Sequence, residues 1–500
     1  YYNTNEDPLV VSPPIPAIFN FDLASGTVHG TACPGCIVEI FSTSMSDGEF
    51  FEGSVTADKD GTFFFDLGLG FNNPLLTATS LSPGDNTSEF SVPISEPLIF
   101  ATFQESNTSP QTRLEPKPVE ELEDNRIGWI ASNFWQLVLP NEAWVETEFS
   151  DFGAKRVRLS INEADSGQVD WNRPELEIES SHDDTITDIS ARGITITYRL
   201  QFWDKAFHAS GGEVPSPRFK TEDQVVRYLD FVQFIVRHFK DRVQYYEIWN
   251  EPSHLPADIM TIEVDDYLNL VRRAIPLIRQ EYPEARIVVG SISGMNDPVI
   301  REYLFTILRS DILSSVDVIT WHPMFSTSPE YESDYYYAYP SIVQQIQELA
   351  FANGFHGEYI AEELVYRSPD CTWCNPTDYL YSNIVAAKYY ARGIMLHLGM
   401  DVSVGVAGNS STRKESFTAI QNLCTIMAGA KPANIAFEIQ SEATNITSYG
   451  FSLPDGDRLI VLWTDGVAVD DDPGTQATLT LPNFSAEEVV GIDPIYGFEQ

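Results

Sequence analysis

The alternation of hydrophobic and polar positions changes character twice along the chain. Up to about residue 100, apolar residues come in short runs of period two, such as 37–41 and 61–66, separated by Gly, Pro and Asp. Short strands with regular turn signals predict an antiparallel β-sandwich over residues 1–100. Residues 101–121 are rich in proline and polar residues, and we interpret them as an extended linker.

A different pattern occupies residues 122–430. Apolar runs typical of buried strands alternate there with long amphipathic segments, of which 222–242, with Thr221 as N-cap, is the clearest. Eight such alternations predict a (β/α)8 TIM barrel, in which the chemistry lies at the C-terminal ends of the strands. The eight runs are 127–131, 156–161, 193–200, 243–252, 286–290, 316–321, 358–363 and 401–406.

Residues 431–500 return to alternation of period two, as in 458–463 and 477–482. They predict a C-terminal β-sandwich that follows the barrel. The sequence given ends directly after a further strand candidate, which leaves open that this domain is truncated.

The stretch 243–252 carries the clearest chemical signal. Hydrophobic and aromatic residues lead to Trp-Asn-Glu-Pro at 249–252, and the proline ends the strand there. Glu251 is thereby held at the tip of a buried strand. Burial favours the protonated form of a carboxyl group, and a protonated carboxyl near neutral pH is what a general acid needs.

A second carboxyl group is available at the end of the seventh run, where Glu362 and Glu363 are adjacent. Because successive strand residues face opposite ways, only one of them is expected to point into a cleft. Hydrolysis of a glycosidic bond takes two carboxyl groups that flank it, one protonating the leaving oxygen and one attacking or activating water. The sequence therefore predicts Glu251 paired with one of these two glutamates.

These strand ends resemble those of the clan A glycoside hydrolases, whose fourth barrel strand ends in Asn-Glu-Pro. The phrase at 247–252, Glu-Ile-Trp-Asn-Glu-Pro, with a trailing sandwich, is most similar to family 39, followed by family 5. The resemblance implies a retaining hydrolase of β-linked glycosides in oligo- or polysaccharides, with no cofactor and no metal. Glu251 would be the acid/base. Glu363 would be the nucleophile, because the clan pattern of an apolar residue and then an aromatic follows it, and Glu362 would be a supporting or surface carboxylate.

The same resemblance implies further substrate-binding residues. Arg158, in a Gly-x-x-x-Val-Arg strand, would keep the nucleophile ionised, although it could pair with any acid at the barrel rim. Asn250 would bind the sugar 2-hydroxyl or cap the turn. The remaining residues follow strands one, three and six, where the aromatic ones line sugar subsites or belong to the core. They are Trp129, Asn133, Trp203 and His322.

Two departures from the clan pattern favour a competing hypothesis. Met324 stands where His-x-Tyr would place its tyrosine, and the eighth run ends at Asn409 without the tryptophan that usually floors the reactive subsite. The alternative is a catalytically inactive barrel that acts as a cell-surface structural or carbohydrate-binding protein. The tyrosines that could replace Met324 are Tyr331, Tyr335, Tyr336 and Tyr337.

The charge balance changes the choice of partners. Lys and Arg number 30 against 73 Asp and Glu, for a formal net charge of -43. Such a surface argues against nucleic acid, which requires a basic face.

No apolar run reaches about 18 residues, so no membrane insertion is expected. No strand is followed by a glycine-rich nucleotide motif, which disfavours a dehydrogenase or nucleotide enzyme.

Cysteines and sequons bear on location. Two Cys-x-x-Cys pairs start at Cys33 and Cys371, and Cys424 is left over; local disulfides or free thiols are favoured over a shared zinc site. Five Asn-x-Ser/Thr triplets and a start without methionine favour an extracellular or cell-surface protein. The stretches 26–41, 57–63 and 85–91 resemble bacterial Ig-like domains, for which a spacer role is favoured over carbohydrate binding. The triplets begin at Asn86, Asn107, Asn409, Asn445 and Asn483.

Overall fold

The computed structural model describes a parallel barrel with antiparallel sheets on either side of it in the chain. This arrangement confirms the predicted fold class of a TIM barrel flanked by β regions. The described residues are 13–23, 25–43, 50–59, 61–73, 75–82, 87–88, 90–91, 94–95, 112–130, 150–159, 178, 180–201, 217–253, 261–368, 379–407, 414–472, 474–481 and 489–499.

The N-terminal strands are β1 (Ala17–Asp22), β2 (Thr27–Thr31), β3 (Ile37–Thr43), β4 (Phe50–Thr56), β5 (Thr62–Asp66), β6 (Leu75–Leu81) and β7 (Ile94–Ser95). They form two antiparallel sheets with the orders β1-β2-β5 and β4-β3-β6-β7. Inward residues of both sheets, such as Val28, Val38 and Phe63, share one apolar core. The sheets therefore pack face to face as a sandwich. The Ig-like character of this region stays a prediction.

One of the two Cys-x-x-Cys pairs lies in the described part of the chain. Cys33 and Cys36 form a disulfide in the turn between β2 and β3, which confirms the local-disulfide alternative for this pair. A disulfide leaves no thiolate for a shared zinc site. Cys371 and Cys374 lie outside the described residues, and Cys424 is a free, buried thiol.

The segment before the barrel differs from the predicted extended linker. Residues 101–111 lie outside the described part, but β8 (Thr112–Arg113) pairs with the final strand Phe498–Glu499. Val119 is completely buried and belongs to the core of the barrel. Apolar side chains spaced through this segment bury against the barrel, so residues 112–121 do not form a free linker.

The barrel consists of eight parallel strands, which coincide with the eight predicted runs. Each strand pairs with the next one along the chain, and the last pairs with the first. The strands are β9 (Ile127–Ile130), β10 (Arg156–Leu159), β11 (Thr195–Leu200), β12 (Tyr245–Ile248), β13 (Arg286–Ile292), β14 (Val318–Trp321), β15 (Glu358–Leu364) and β16 (Ser403–Ala407).

An α-helix follows each strand from β10 to β16: α1 (Ser180–Ala191), α2 (Glu222–Phe239), α3 (Val264–Glu281), α4 (Pro298–Leu308), α5 (Ser333–Ala352), α6 (Asn383–Gly399) and α7 (Lys414–Ile426). Helix α2 begins as predicted, because the Thr221 side chain accepts a hydrogen bond from the backbone N–H of Gln224 and the Gln224 side chain accepts one from the backbone N–H of Thr221. Among the described helices, none combines the length and the apolar character needed to cross a membrane.

The C-terminal strands are β17 (Lys431–Pro432), β18 (Glu438–Ser441), β19 (Ile446–Ser452), β20 (Arg458–Thr464), β21 (Ala477–Thr480), β22 (Ile492–Asp493) and β23 (Phe498–Glu499). They form small antiparallel sheets that pack on the barrel. Phe451 of β19 belongs to the same apolar core as the barrel residues. A Cβ atom on Gly399, at the end of α6, would lie 2.1 Å from the Tyr449 ring. Only glycine permits this close approach of helix and sheet.

Candidate active site

Charged side chains from three barrel strands meet inside the barrel near its C-terminal end. Arg158 of β10, Glu247 of β12 and Glu362 of β15 are 3%, 0% and 2% exposed. Nε and Nη2 of Arg158 donate to the two oxygens of Glu247 at 2.6 and 2.5 Å, and Nε also lies 2.9 Å from Oε2 of Glu362. Contacts between strands on different sides of the barrel require all three side chains to point toward its axis.

Arg158 also contacts Glu363, the predicted nucleophile. Its Nη1 donates to Oε1 of Glu363 at 2.6 Å, and its Nη2 donates to Oδ1 of Asn250 at 2.6 Å. The structure thus brings together three residues that the sequence singled out, on β10, after β12 and on β15. A single buried guanidinium contacts three carboxyl groups, so its charge is shared among them.

The two buried glutamates below Glu363 differ in their preferred protonation state. For Glu247, burial raises the pKa, but the charge and hydrogen bonds of Arg158 outweigh it and the pKa lies below its usual value. For Glu362, burial is the largest cause and repulsion from Glu247 adds to it, so its pKa rises to about 8 in spite of Arg158. We therefore assign a proton to Glu362 at neutral pH and a negative charge to Glu247.

His322, directly after β14, lies between the two predicted catalytic glutamates. Its Nδ1 is 3.0 Å from Oε1 of Glu251 and 3.5 Å from Oε2 of Glu363, and its Nε2 is 3.1 Å from Oγ of Ser291. One oxygen of Glu251 lies within 4.8 Å of one oxygen of Glu363. Burial lowers the pKa of His322, but the charges of Glu363 and Glu251 prevail and raise it above its usual value. We place the Nδ1 proton on the side of the two glutamates.

The backbone at these strand ends is unusual. Trp249, Glu251, Ser291 and Glu363 all have positive φ angles, of 68°, 48°, 51° and 60°. Non-glycine residues in this region cost on the order of 1–3 kcal/mol each and are concentrated at functional sites. The surrounding contacts hold these conformations in place, for example the hydrogen bond from the Glu251 N–H to the Ser291 carbonyl.

The expectation that only one of the two adjacent glutamates points into the barrel is wrong. Both contact Arg158, Glu362 through Oε2 and Glu363 through Oε1. The register of β15 against β16 shifts between Ala361 and Leu364, and Glu363 takes its positive φ within this bulge. A bulge re-aims a side chain, so the strict alternation of a regular strand does not hold there.

The other predicted substrate-binding residues have mixed outcomes. Trp129 is only 6% exposed, and its ring packs edge to face on Phe152 with centroids 4.4 Å apart. Trp129 thus packs in the core between barrel and helices, the alternative that the sequence left open, while the side chain of its neighbour Ile130 approaches Gly405 on the adjacent strand β16. Trp203 and Asn133 lie outside the described residues, as does Asn409.

The tyrosines that could replace Met324 have other partners. The hydroxyl of Tyr335 donates to the Pro323 carbonyl, and those of Tyr336 and Tyr337 donate to Asp465. The Tyr331 ring stacks on Tyr379. Met324 itself is buried. The side-chain partners of Glu363 that the structure describes are Arg158 and His322, and none of these four tyrosines is among them.

Two residues of this network were not singled out from the sequence. Ser291 donates to Asn250 and contacts His322, and Glu247 binds Arg158. Glu247 could have been found, since a charged residue within an otherwise apolar strand is rarely buried without a partner. Ser291 gave no such signal, because its side chain enters the site through a positive φ.

Glu251, His322 and Glu363 are close enough to be considered for a shared metal ion. Nδ1 is the imidazole nitrogen that faces both glutamates, and it already forms the hydrogen bond to Glu251. A histidine nitrogen that carries a proton cannot bind a metal. We therefore interpret the three side chains as a hydrogen-bonded set, and the absence of a metal in the reaction stays a prediction.

Comparison with known proteins bears on the fold. No family model and no curated protein matches the sequence. A family 39 glycoside hydrolase from the gut symbiont Bacteroides cellulosilyticus WH2 has a similar structure, with a TM-score of 0.51 and 14% identity over 94% of this chain and 100% of that one. The chain has the fold of a glycoside hydrolase. The predicted resemblance is confirmed at this level.

Two further similar structures carry glycosidase names. An endo-1,4-β-mannanase from Rhizomucor miehei has a TM-score of 0.44 and 15% identity, over 66% of this chain and 99% of that one. Endo-glycoceramidase II from a Rhodococcus species has a TM-score of 0.41 and 15% identity, over 73% and 99%.

Proposed function

We propose that this protein is a retaining glycoside hydrolase that cleaves β-linked glycosides in oligo- or polysaccharides. The observation that carries the proposal is the pairing of Glu251 and Glu363 across the barrel mouth, with one oxygen of each within 4.8 Å. The two carboxyl groups are about 5 to 5.5 Å apart in retaining enzymes and about 6.5 to 9.5 Å apart in inverting ones. The short separation supports a two-step displacement.

In the first step Glu363 attacks the anomeric carbon while protonated Glu251 gives its proton to the leaving oxygen. The bond to the leaving group breaks as the glycosyl-enzyme ester forms. Arg158 donates to Oε1 of Glu363, which favours the ionised nucleophile. In the second step ionised Glu251 takes a proton from water, and the resulting hydroxyl displaces Glu363.

His322 and Asn250 hold this pair in position. Nδ1 of His322 bonds to Glu251 and approaches Glu363, so that one ring aligns both carboxyl groups. Oδ1 of Asn250 accepts hydrogen bonds from Arg158 and Ser291, and these two bonds fix the orientation of the amide group. We assign the amide nitrogen of Asn250 to the sugar 2-hydroxyl, whose hydrogen bond strengthens in the transition state.

We also propose an extracellular or cell-surface location. The Cys33–Cys36 disulfide supports it, because disulfides persist mainly in oxidising compartments. Asn445, the first residue of one sequon, is exposed. Fractionation of cells that produce the protein would locate it; a protein found only in the cytosol with reduced Cys33 and Cys36 would contradict this assignment.

The mechanism is tested with aryl β-glycosides of several sugars. We expect the wild type to hydrolyse at least one of them with retention, seen by NMR as a first-formed β-anomer. Glu251→Gln and Glu363→Gln should each lose activity by more than about a thousandfold. Glu284→Gln, on an exposed residue before β13, is the matched control.

Inversion of the anomeric configuration, or full activity in both variants, would overturn the assignment. Sugar binding without hydrolysis of any glycoside would instead favour the catalytically inactive barrel.

A further inference from the structure

The buried carboxyl groups beneath Glu363 have no part in the two-glutamate mechanism. Nε of Arg158 carries one hydrogen, yet Oε2 of Glu247 lies 2.6 Å and Oε2 of Glu362 lies 2.9 Å from it. One N–H cannot compensate two ionised oxygens in a site that excludes water. The geometry therefore favours a proton on one of the two carboxyl groups.

We propose that Glu362 is a positioning residue that holds this proton at neutral pH and so reserves Arg158 for the nucleophile Glu363. The inference rests on the proposed function. Glu247 has the stronger claim to the negative charge, because it binds Arg158 through both oxygens, whereas Glu362 approaches it through one.

The groups that face Glu362 make it the one that stays neutral. Of the cations, Arg158 of β10 contacts Glu362, and Arg199 of β11 lies near Glu247 and Glu363. His322 after β14 adds positive charge from farther off, whereas Glu247 of β12 and Glu363 next to it are negative. From β14 the Thr320 hydroxyl donates to Oε2 at 3.0 Å. On the side of β16 the neighbour is Gly405, which brings no charge. Burial, the largest cause, and repulsion from Glu247 raise the pKa of Glu362 to about 8.

Loss of the proton has a defined consequence for the nucleophile. With Glu362 ionised, Arg158 would face three negative carboxylates within hydrogen-bond distance. Its hold on Glu363 would weaken, since the same charge is divided among more partners. The enzyme should therefore lose activity as the pH rises through about 8, for a reason separate from the acid/base glutamate.

Infrared spectroscopy tests the proton directly and needs no activity. We expect wild-type protein at pH 7 to show a C=O stretch of a protonated carboxyl group that is absent from Glu362→Gln, beside the band of protonated Glu251 that both proteins share. In Thr320→Val the midpoint at which this band disappears should move to higher pH, because the hydroxyl stabilises the ionised form of Glu362. This second variant keeps the test informative if Glu362→Gln does not fold.

Kinetics on a 2,4-dinitrophenyl glycoside test the consequence. This leaving group departs without a proton, so the rate does not depend on protonation of Glu251 in the first step. We expect kcat/KM of the wild type to fall about tenfold from pH 7 to pH 9, as ionisation near pH 8 requires, and that of Glu362→Gln to stay nearly level.

The possible outcomes separate the two proposals. A protein without any hydrolysis but with the band and its loss in Glu362→Gln would keep the protonated glutamate and end the proposed function. Carboxyl bands that are identical in the wild type and in Glu362→Gln would overturn the inference. So would an equal alkaline fall in both proteins, which would point to His322 instead.

Discussion

The two ends of the barrel carry similar residues for different purposes. At the lower, N-terminal end, Arg156 bonds to Asp124 and Glu358, and the Tyr245 hydroxyl donates to Glu358. At the upper end, two residues further along β10 and β12 and five further along β15, Arg158 bonds to Glu247 and Glu363. The lower carboxylates are partly exposed, with Asp124 at 49%, whereas Glu247 is at 0%.

The comparison shows that residue type alone does not decide the role of a charge. The lower cluster divides one arginine between two partly exposed carboxylates, and ion pairs open to solvent contribute little to stability. The upper cluster divides one arginine among three carboxyl groups in a dry site, so protonation states and positions there are coupled. The buried, coupled cluster thus lies only two residues beyond the partly exposed one along β10 and β12.

Removing the two arginines should give the largest difference. Arg158→Met leaves Glu247 buried without its cation, which we expect to cost about 3–5 kcal/mol of unfolding free energy. Its kcat/KM should fall by more than about a thousandfold, since electrostatic positioning of the nucleophile is lost. Arg156→Met is the matched control and should cost about 1 kcal/mol or less. Thermal unfolding and aryl-glycoside kinetics measure both, and equal effects would contradict the comparison.

Substitution of His322 should lower activity more than stability. We expect His322→Asn to reduce kcat by about a hundredfold, because both carboxyl groups lose their common partner and a small misplacement has this effect. Tyr245→Phe removes a hydroxyl from the lower cluster and should change kcat by no more than about twofold while costing about 1 kcal/mol. A His322→Asn variant that keeps its kcat would show that the ring does not align the pair.

The pH dependence of stability should differ between the two ends. The pKa of Glu362 in the folded protein, about 8, lies above the ordinary carboxyl value, so the native state holds a proton that the unfolded chain releases. Its contribution is complete below the ordinary value and is lost as pH rises toward 8, by up to about 1.4 kcal/mol per pH unit.

Glu362→Gln should therefore flatten the decrease in melting temperature between pH 5 and pH 8, whereas Glu358→Gln in the lower cluster should not. Parallel curves for wild type and Glu362→Gln would place the proton elsewhere.

The smallest effect concerns Trp129. We expect Trp129→Phe to cost about 1–2 kcal/mol of stability through lost packing on Phe152, and to leave KM for every substrate within about twofold. An increase in KM with unchanged stability would return Trp129 to a sugar subsite. Tryptophan fluorescence during unfolding, read beside the kinetics, separates the two results.

Short-range pattern was enough for the architecture and for much of the site. Period two and helical period specify strands and helices locally, so all eight barrel strands and the N-cap Thr221 could be predicted. Because the ends of parallel strands meet at one face, Glu251, Glu363, Arg158, Asn250 and His322 could be expected to lie together, as they do. Trp203 and Asn133 lie outside the described residues and stay predictions.

Only the tertiary structure decided which way particular side chains point. The bulge in β15 turns both Glu362 and Glu363 toward the barrel axis. The regular strand β9 turns Trp129 away from that axis, into the core between barrel and helices. The protonated state of Glu362 depends on Glu247 and Arg158, more than 100 and 200 residues away along the chain. Register shifts and cross-barrel distances are set by packing among distant strands, so no local pattern encodes them, whereas the identity and order of the strand ends are written in the sequence itself.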